Sequence, residues 1–147
     1  MAILPEIKNT KQLSLDYIAG LITGEGSFFW ITQNKGKQKV PVFQLRMHYN
    51  DRELVFAVRN SLKLKEPIYE YKHRDKNKPS LIRHYVQLMV RKTEVIKEKI
   101  IPAFEGRLYG LKREQFNAWK AKFLKKEKLQ KLEELRQKSG GYRHKKI

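Results

Sequence analysis

Two glycines four positions apart, Gly20 and Gly24, fall inside the most regular apolar repeat of the chain, and that placement narrows what it can fold into. From Leu13 to Thr23 the apolar residues Leu15, Ile18, Ala19, Leu21 and Ile22 recur at helical intervals, with Ser14 placed as an N-cap, so the spacing predicts a helix. Inside a helix each glycine costs roughly 1 kcal/mol relative to alanine. Four residues apart they share one face, with Ala19 nearby, and a face without side chains lets another backbone approach closely. The pattern therefore predicts a helix–helix contact through Ala19, Gly20 and Gly24. Glu25 follows at the C-terminal end of that helix, where the dipole is negative and a carboxylate is disfavoured unless a cation lies near. Such departures from local consistency are expected at functional sites.

Gly24-Glu25-Gly26 ends the helix, and Ser27 to Gln33, rich in aromatic and β-branched residues, reads as a strand. Asn34 to Lys39 reads as a turn and Val40 to His48 as the returning strand of a hairpin. Asn50-Asp51 opens a second helix carrying Leu54, Val55, Val58 and Leu62, ending near Lys65 ahead of Pro67. Ile68 to His73 and Arg83 to Val90 form a second strand pair around a charged loop containing Asn77-Lys78-Pro79. The helix-hairpin unit thus occurs twice. Thr93 caps a helix with Ile96, Ile100 and Phe104, and Phe116, Trp119, Phe123 and Leu132 mark a longer last helix. The expected class is α+β, one domain over residues 1–135, followed at 136–147 by a flexible basic tail with too little apolar content to fold alone.

Charge points to the partner. Lysine and arginine number 33 against 15 acidic residues, a formal charge of +18 in 147 residues, and each cation placed on a phosphate releases condensed counterions. No membrane partner is expected, because no apolar run approaches the roughly 18 residues of a spanning helix. Neither end carries an evident targeting signal. The absence of cysteine excludes a disulfide and a thiolate zinc site and agrees with an intracellular setting, and His48, His73, His84 and His144 lack close metal-ligand spacing. Strand alternation turns Phe43, Leu45 and Met47 inward and leaves Gln44, Arg46 and His48 on the open face.

The stretch from Ile18 to Phe28 resembles the motif that names the LAGLIDADG homing endonuclease family, in its variant ending Gly-acid-Gly-Ser. It matches at Ala19, Gly20, Leu21, Ile22 and Gly26, with Glu25 in place of an aspartate and Thr23 where the consensus has another. The strand pairs and the repeated helix-hairpin order extend the likeness from about residue 13 to 125. The resemblance implies an αββαββα fold with C-terminal helices, whose curved antiparallel β-sheet forms a saddle along the DNA major groove. It implies that motif helices pack at a two-fold interface and each delivers one carboxylate to metal ions over the minor groove. Glu25 takes that catalytic and metal-binding role, with Gly24 beside it as a further metal contact. Only one motif is present, so a two-fold site needs two chains, a homodimer. Magnesium is the expected ion, with manganese able to substitute, because carboxylate, water and phosphate oxygens are hard ligands. In a two-metal displacement the ions activate water and stabilise the leaving oxygen.

The resemblance also implies roles for Lys112, in Leu111 to Gln115, near the scissile phosphate, and for His48 near the catalytic water network. On the open strand faces Phe29, Ile31, Gln33, Gln44, Arg46, Glu70 and Lys72 are the expected DNA contacts, with Arg46 suited to guanine, Gln44 to adenine and Glu70 to cytosine. The implied function is an intron-encoded, sequence-specific double-strand DNA endonuclease, in a prokaryotic cytoplasm or in an organelle, chloroplast or mitochondrion. The alternative is an RNA-splicing maturase or a cleavage-inactive DNA- or RNA-binding protein on the same scaffold, with intron RNA as partner. A basic ribosome-associated protein would leave Gly20, Gly24 and Glu25 unexplained.

Overall fold

The computed structural model describes the backbone of residues 1–144 and the side chains of residues 1–139. The elements run β1 (Ala2–Ile3), α1 (Leu15–Glu25), β2 (Gly26–Gln33), β3 (Gln38–His48), a single 3-10 turn at Tyr49–Asp51, α2 (Arg52–Ser61), β4 (Ile68–Arg74), β5 (Ile82–Val90), α3 (Thr93–Val95), α4 (Ile101–Phe104) and α5 (Gly110–His144). The strands form one antiparallel five-stranded sheet in the order β1-β4-β5-β3-β2. This is the α+β architecture the helix-hairpin repeat predicts. One strand lies outside that repeat: Ala2 and Ile3 pair with Glu70 and Tyr69 and add an edge to β4.

The core lies between the sheet and its helices, and an aromatic cluster sets how they meet. Phe28 of β2 has ring centroids 5.4 Å from Phe43, 5.8 Å from Phe104, 5.1 Å from Phe116 and 5.1 Å from Trp119. Trp119 Nε1 also donates to the Phe29 carbonyl at 3.1 Å, which fixes α5 along β2. The residues between α3 and α4, Ile96–Ile100, form a π-helical turn. The wider turn lets Ile96, Ile100 and Ile101 all reach the core.

Helix ends differ from the expected boundaries for local reasons. α2 stops at Ser61 instead of near Lys65 because Lys63 takes a left-handed φ of 57° and Leu64 turns back into the core. An N-terminal arm is pinned to α2 by Arg59, which is buried and donates to Glu6 Oε1 at 2.9 Å and to the Glu66 carbonyl at 3.3 Å. That bond from Arg59 holds the Glu6 carboxyl below its ordinary value. α5 buries Phe116, Trp119 and Phe123, whereas Leu132, expected with them, is exposed, as are Leu124, Leu129 and Leu135. The segment beginning at Arg136, expected as a flexible tail, is helical through His144, and its residues 145–147 lie outside the described residues. A helix already nucleated by the packed turns adds residues at little cost, so low apolar content alone does not end it.

Candidate functional site

The C-terminal corner of α1 is built by its own residues. Ser14 Oγ accepts from the Tyr17 N–H at 3.1 Å and starts the helix, as its position predicts. Thr23, where the motif consensus has an acid, donates its hydroxyl to the Ala19 carbonyl at 2.8 Å. The Gly26 N–H closes the last turn on the Ile22 carbonyl, and a Cβ at Gly26 would lie 2.5 Å from Ile22 Cγ2. Only glycine fits there, so the chain passes directly from α1 into β2 and leaves Glu25 exposed at the corner. The last carbonyls of α1, Gly24 among them, have no following turn to bond them and gather negative potential at that point.

Gly20 and Gly24 lie exposed, and a Cβ on either would meet nothing within 4 Å. Tyr17, 53% exposed, shares this outer face. Ala19 does not: it is buried in the chain's own core, because one residue along a helix turns the side chain about 100° and Ala19 faces the sheet with Ile18 and Ile22. Of the three residues expected at a contact, Ala19 thus lies inside the chain's own core, and the exposed face of α1 carries Tyr17, Gly20 and Gly24.

Lys112, in the first turn of α5, donates its Nζ to the carbonyl of Gly26, the residue after Glu25. At the same end of the sheet an open cleft of about 460 Å³ brings together Glu25, Arg46, His48, Arg83 and Tyr85. The structure thus gathers the catalytic candidates Glu25, His48 and Lys112 around one corner. His48 Nδ1 accepts from the Asn50 N–H at 3.1 Å, so the ring proton sits on Nε2 and the free nitrogen is a donor. Arg83 is held by Asp75, with Nη2 and Nε 3.0 and 3.1 Å from Oδ2. The Asn77 backbone N–H, and after it Arg83, keep the Asp75 carboxyl below its usual range.

Strand register sorts the sheet into two faces. Phe43, Leu45 and Met47 pack on the core, as alternation predicts. On the other side lie Phe29, Ile31, Gln33, Gln44, Arg46 and His48, because paired residues share a face and Phe29 pairs Val42, Ile31 pairs Val40 and Gln33 pairs Gln38. Arg46 pairs Gln87, His48 pairs Tyr85, and these pair in turn with Tyr69 and Tyr71 on β4. Glu70 and Lys72, expected on that open face, are on the helix side, since Glu70 pairs Val86, which in turn pairs the inward Met47. Glu70 Oε2 lies 2.6 Å from His84 Nε2, and His84 stacks on Tyr49 at 4.0 Å. The phase of β4 is therefore the reverse of the expected one, with its charges toward the helices. Tyr69, Tyr71, Tyr85 and Gln87 are open-face residues absent from the expected set, and the polar Gln87 between Val86 and Leu88 is the local sign of that face.

A metal would find hard oxygen donors at the corner: the exposed Glu25 carboxylate and the unbonded α1 carbonyls, Gly24's included, fit a magnesium-type ion. Among the described residues no group of three or more His, Cys, Asp or Glu side chains converges on such a site.

The LAGLIDADG endonuclease family model matches residues 18–123. Among solved structures, the LAGLIDADG homing endonuclease I-GzeII in complex with its DNA target aligns with a TM-score of 0.63 and 26% identity, over 84% of this chain and 40% of that one. I-LtrWI, a LAGLIDADG homing endonuclease bound to target DNA, aligns at 0.58 and 26% over 78% and 38%. The homing endonuclease I-TnaI aligns at 0.63 and 22% over 80% of this chain and 76% of its own, a likeness of fold. The chain spans about two fifths of the length of I-GzeII and I-LtrWI. No curated protein matches it significantly.

Proposed function

The chain belongs to the LAGLIDADG endonuclease family, and on that footing we propose that it is a sequence-specific homing endonuclease that hydrolyses both strands of a DNA target as a homodimer with divalent metal ions. The observation that carries this reading is the exposed Glu25 carboxylate at the end of an open, cation-bearing sheet face, in one cleft with Arg46 and His48. A net charge of +18 suits a long phosphate backbone.

The homodimer follows from helix economics. Gly20 and Gly24 weaken α1 by roughly 1 kcal/mol each relative to alanine, yet no neighbour in their own chain needs the space. A second copy of α1 against the first uses that space and brings a second Glu25 to the same centre, as a two-fold site requires.

Glu25, with the Gly24 carbonyl, would hold the ion, magnesium or manganese. Bound there, a divalent ion supplies activated water and charge stabilisation at the phosphate. The remaining chemistry belongs to side chains. Lys112, held at the Gly26 carbonyl beside Glu25, would act on the charge that develops at a scissile phosphate. His48 presents Nε2–H, so it orients a water or a phosphate oxygen by donation and does not act as the base at that nitrogen. Arg46, Gln44 and the tyrosines share the open sheet face that would lie along the groove. The test is selection of duplexes from a randomised pool by purified protein, followed by incubation of the selected site with magnesium and, separately, calcium. Cleavage of both strands in magnesium is expected. Selective binding without any nick in magnesium or manganese would instead favour the maturase or binding-only reading.

A further inference from the structure

Arg46 is not a free arginine on the sheet surface. Its Nε and Nη2 both donate to Gln87 Oε1, at 3.2 and 2.8 Å, and its guanidinium lies over the Tyr85 ring with Cζ 4.4 Å from the centroid. Tyr85 is itself backed by Tyr71, stacked at 5.0 Å with 13° between the planes. Gln87 is 5% exposed and sits directly across the β3–β5 ladder from Arg46, so its side chain has little freedom to leave. The guanidinium is thereby fixed along one edge and over one face.

We propose that Gln87 and Tyr85 are positioning residues that set Arg46 for reading a guanine. The inference rests on the DNA-endonuclease reading above and deepens it. Guanidinium carries five N–H donors in a planar fork. Gln87 occupies the edge made by Nε and one Nη2 hydrogen, which leaves the end-on edge, Nη1 and the outer Nη2 hydrogen, as a coplanar donor pair. That pair matches the O6 and N7 acceptors of guanine in the major groove. A phosphate also accepts from a planar fork but carries no base identity, whereas the O6 and N7 of guanine lie in one plane along a groove edge, and stacking on Tyr85 holds the fork in a plane above the open sheet face. Preorganisation lowers the cost of ordering a long side chain on binding.

The experiment compares wild type, Arg46→Ala, Gln87→Leu, the double variant and Gln87→Glu on the duplex selected by wild type and on its single-base-pair substitutions. Arg46→Ala should lose discrimination for guanine at one position of each half-site, by about tenfold or more. Gln87→Leu should lose most of that discrimination at the same position, with other positions unchanged. The double variant should be no worse than Arg46→Ala, because the Gln87 effect runs through Arg46. Gln87→Glu keeps an acceptor of the same reach and should retain the preference, which separates positioning from a folding defect. Discrimination within twofold of wild type in Gln87→Leu, or an equal loss for all sequences, overturns the inference while the functional reading stands. A wild-type protein with no base preference at any position overturns the functional reading and the inference with it.

Discussion

Lys112 Nζ and the carbonyl oxygen of Gly26 are hydrogen-bond partners, so the first turn of α5 is fastened to the residue directly after Glu25. A lysine that served only as a general phosphate contact would not need this address. Lys112→Met is expected to slow cleavage on the order of 10²-fold, while target affinity changes little. Single-turnover cleavage and equilibrium binding, measured at one salt concentration, separate the two. Equal losses in both would return Lys112 to the class of general phosphate contacts.

The outer face of α1 gives a second prediction. Gly20→Leu adds a side chain where the chain has none within 4 Å. It should leave the folded monomer intact, stabilise α1 by up to about 1 kcal/mol through helix propensity, and yet separate or misalign the two subunits by overpacking. Sedimentation together with thermal unfolding reads both effects. An intact dimer in the variant, or a wild type that is monomeric both free and on DNA, contradicts the proposed assembly.

Much of this was legible in the sequence, and the failures have physical causes. The helix-hairpin repeat and the inward set Phe43, Leu45 and Met47 follow from apolar period, and the Ser14 cap follows from a serine placed just ahead of that repeat. The corner carrying Glu25 was legible because Gly24-Glu25-Gly26 interrupts the apolar repeat, and the structure adds why Gly26 is required, since a Cβ there would meet Ile22. Ala19 was misplaced because residues adjacent in a motif need not share a helix face. β4 was misphased because Ile68-Tyr69-Glu70-Tyr71-Lys72 alternates aromatic with charged residues, and only its pairing with β5 tells which set faces the helices. The Arg46–Gln87 bond joins residues 41 positions apart and leaves no local pattern.

The corrected phase of β4 is itself testable. Glu70→Ala should lose the bond to His84, at about 0.5–1.5 kcal/mol of folding stability, without changing base preference at any position. A shift in preference at one base pair would put Glu70 back on the DNA side.

The Glu6–Arg59 pair predicts a pH dependence. Arg59 holds the folded-state Glu6 carboxyl below the ordinary 4.5. A lowered carboxyl contributes stability that is present above the unfolded value and is lost as pH falls through the folded one. Glu6→Gln should therefore be less stable than wild type at neutral pH, and the gap should close as pH drops below 4.5. Denaturant unfolding of both proteins across that range measures it, and a gap that stays constant into acid would place the effect outside Glu6 ionisation.

Glu25→Gln is the most direct measurement. The amide keeps the size of the side chain, removes the charge that would hold the ion, and relieves the carboxylate at the negative end of α1. The variant should bind the selected target with near wild-type affinity in calcium, hold or slightly raise its folding stability without metal, and make no cut in magnesium. Metal-dependent cutting at the wild-type rate, with stability lowered, would mean that Glu25 is a structural residue and that the catalytic centre lies elsewhere.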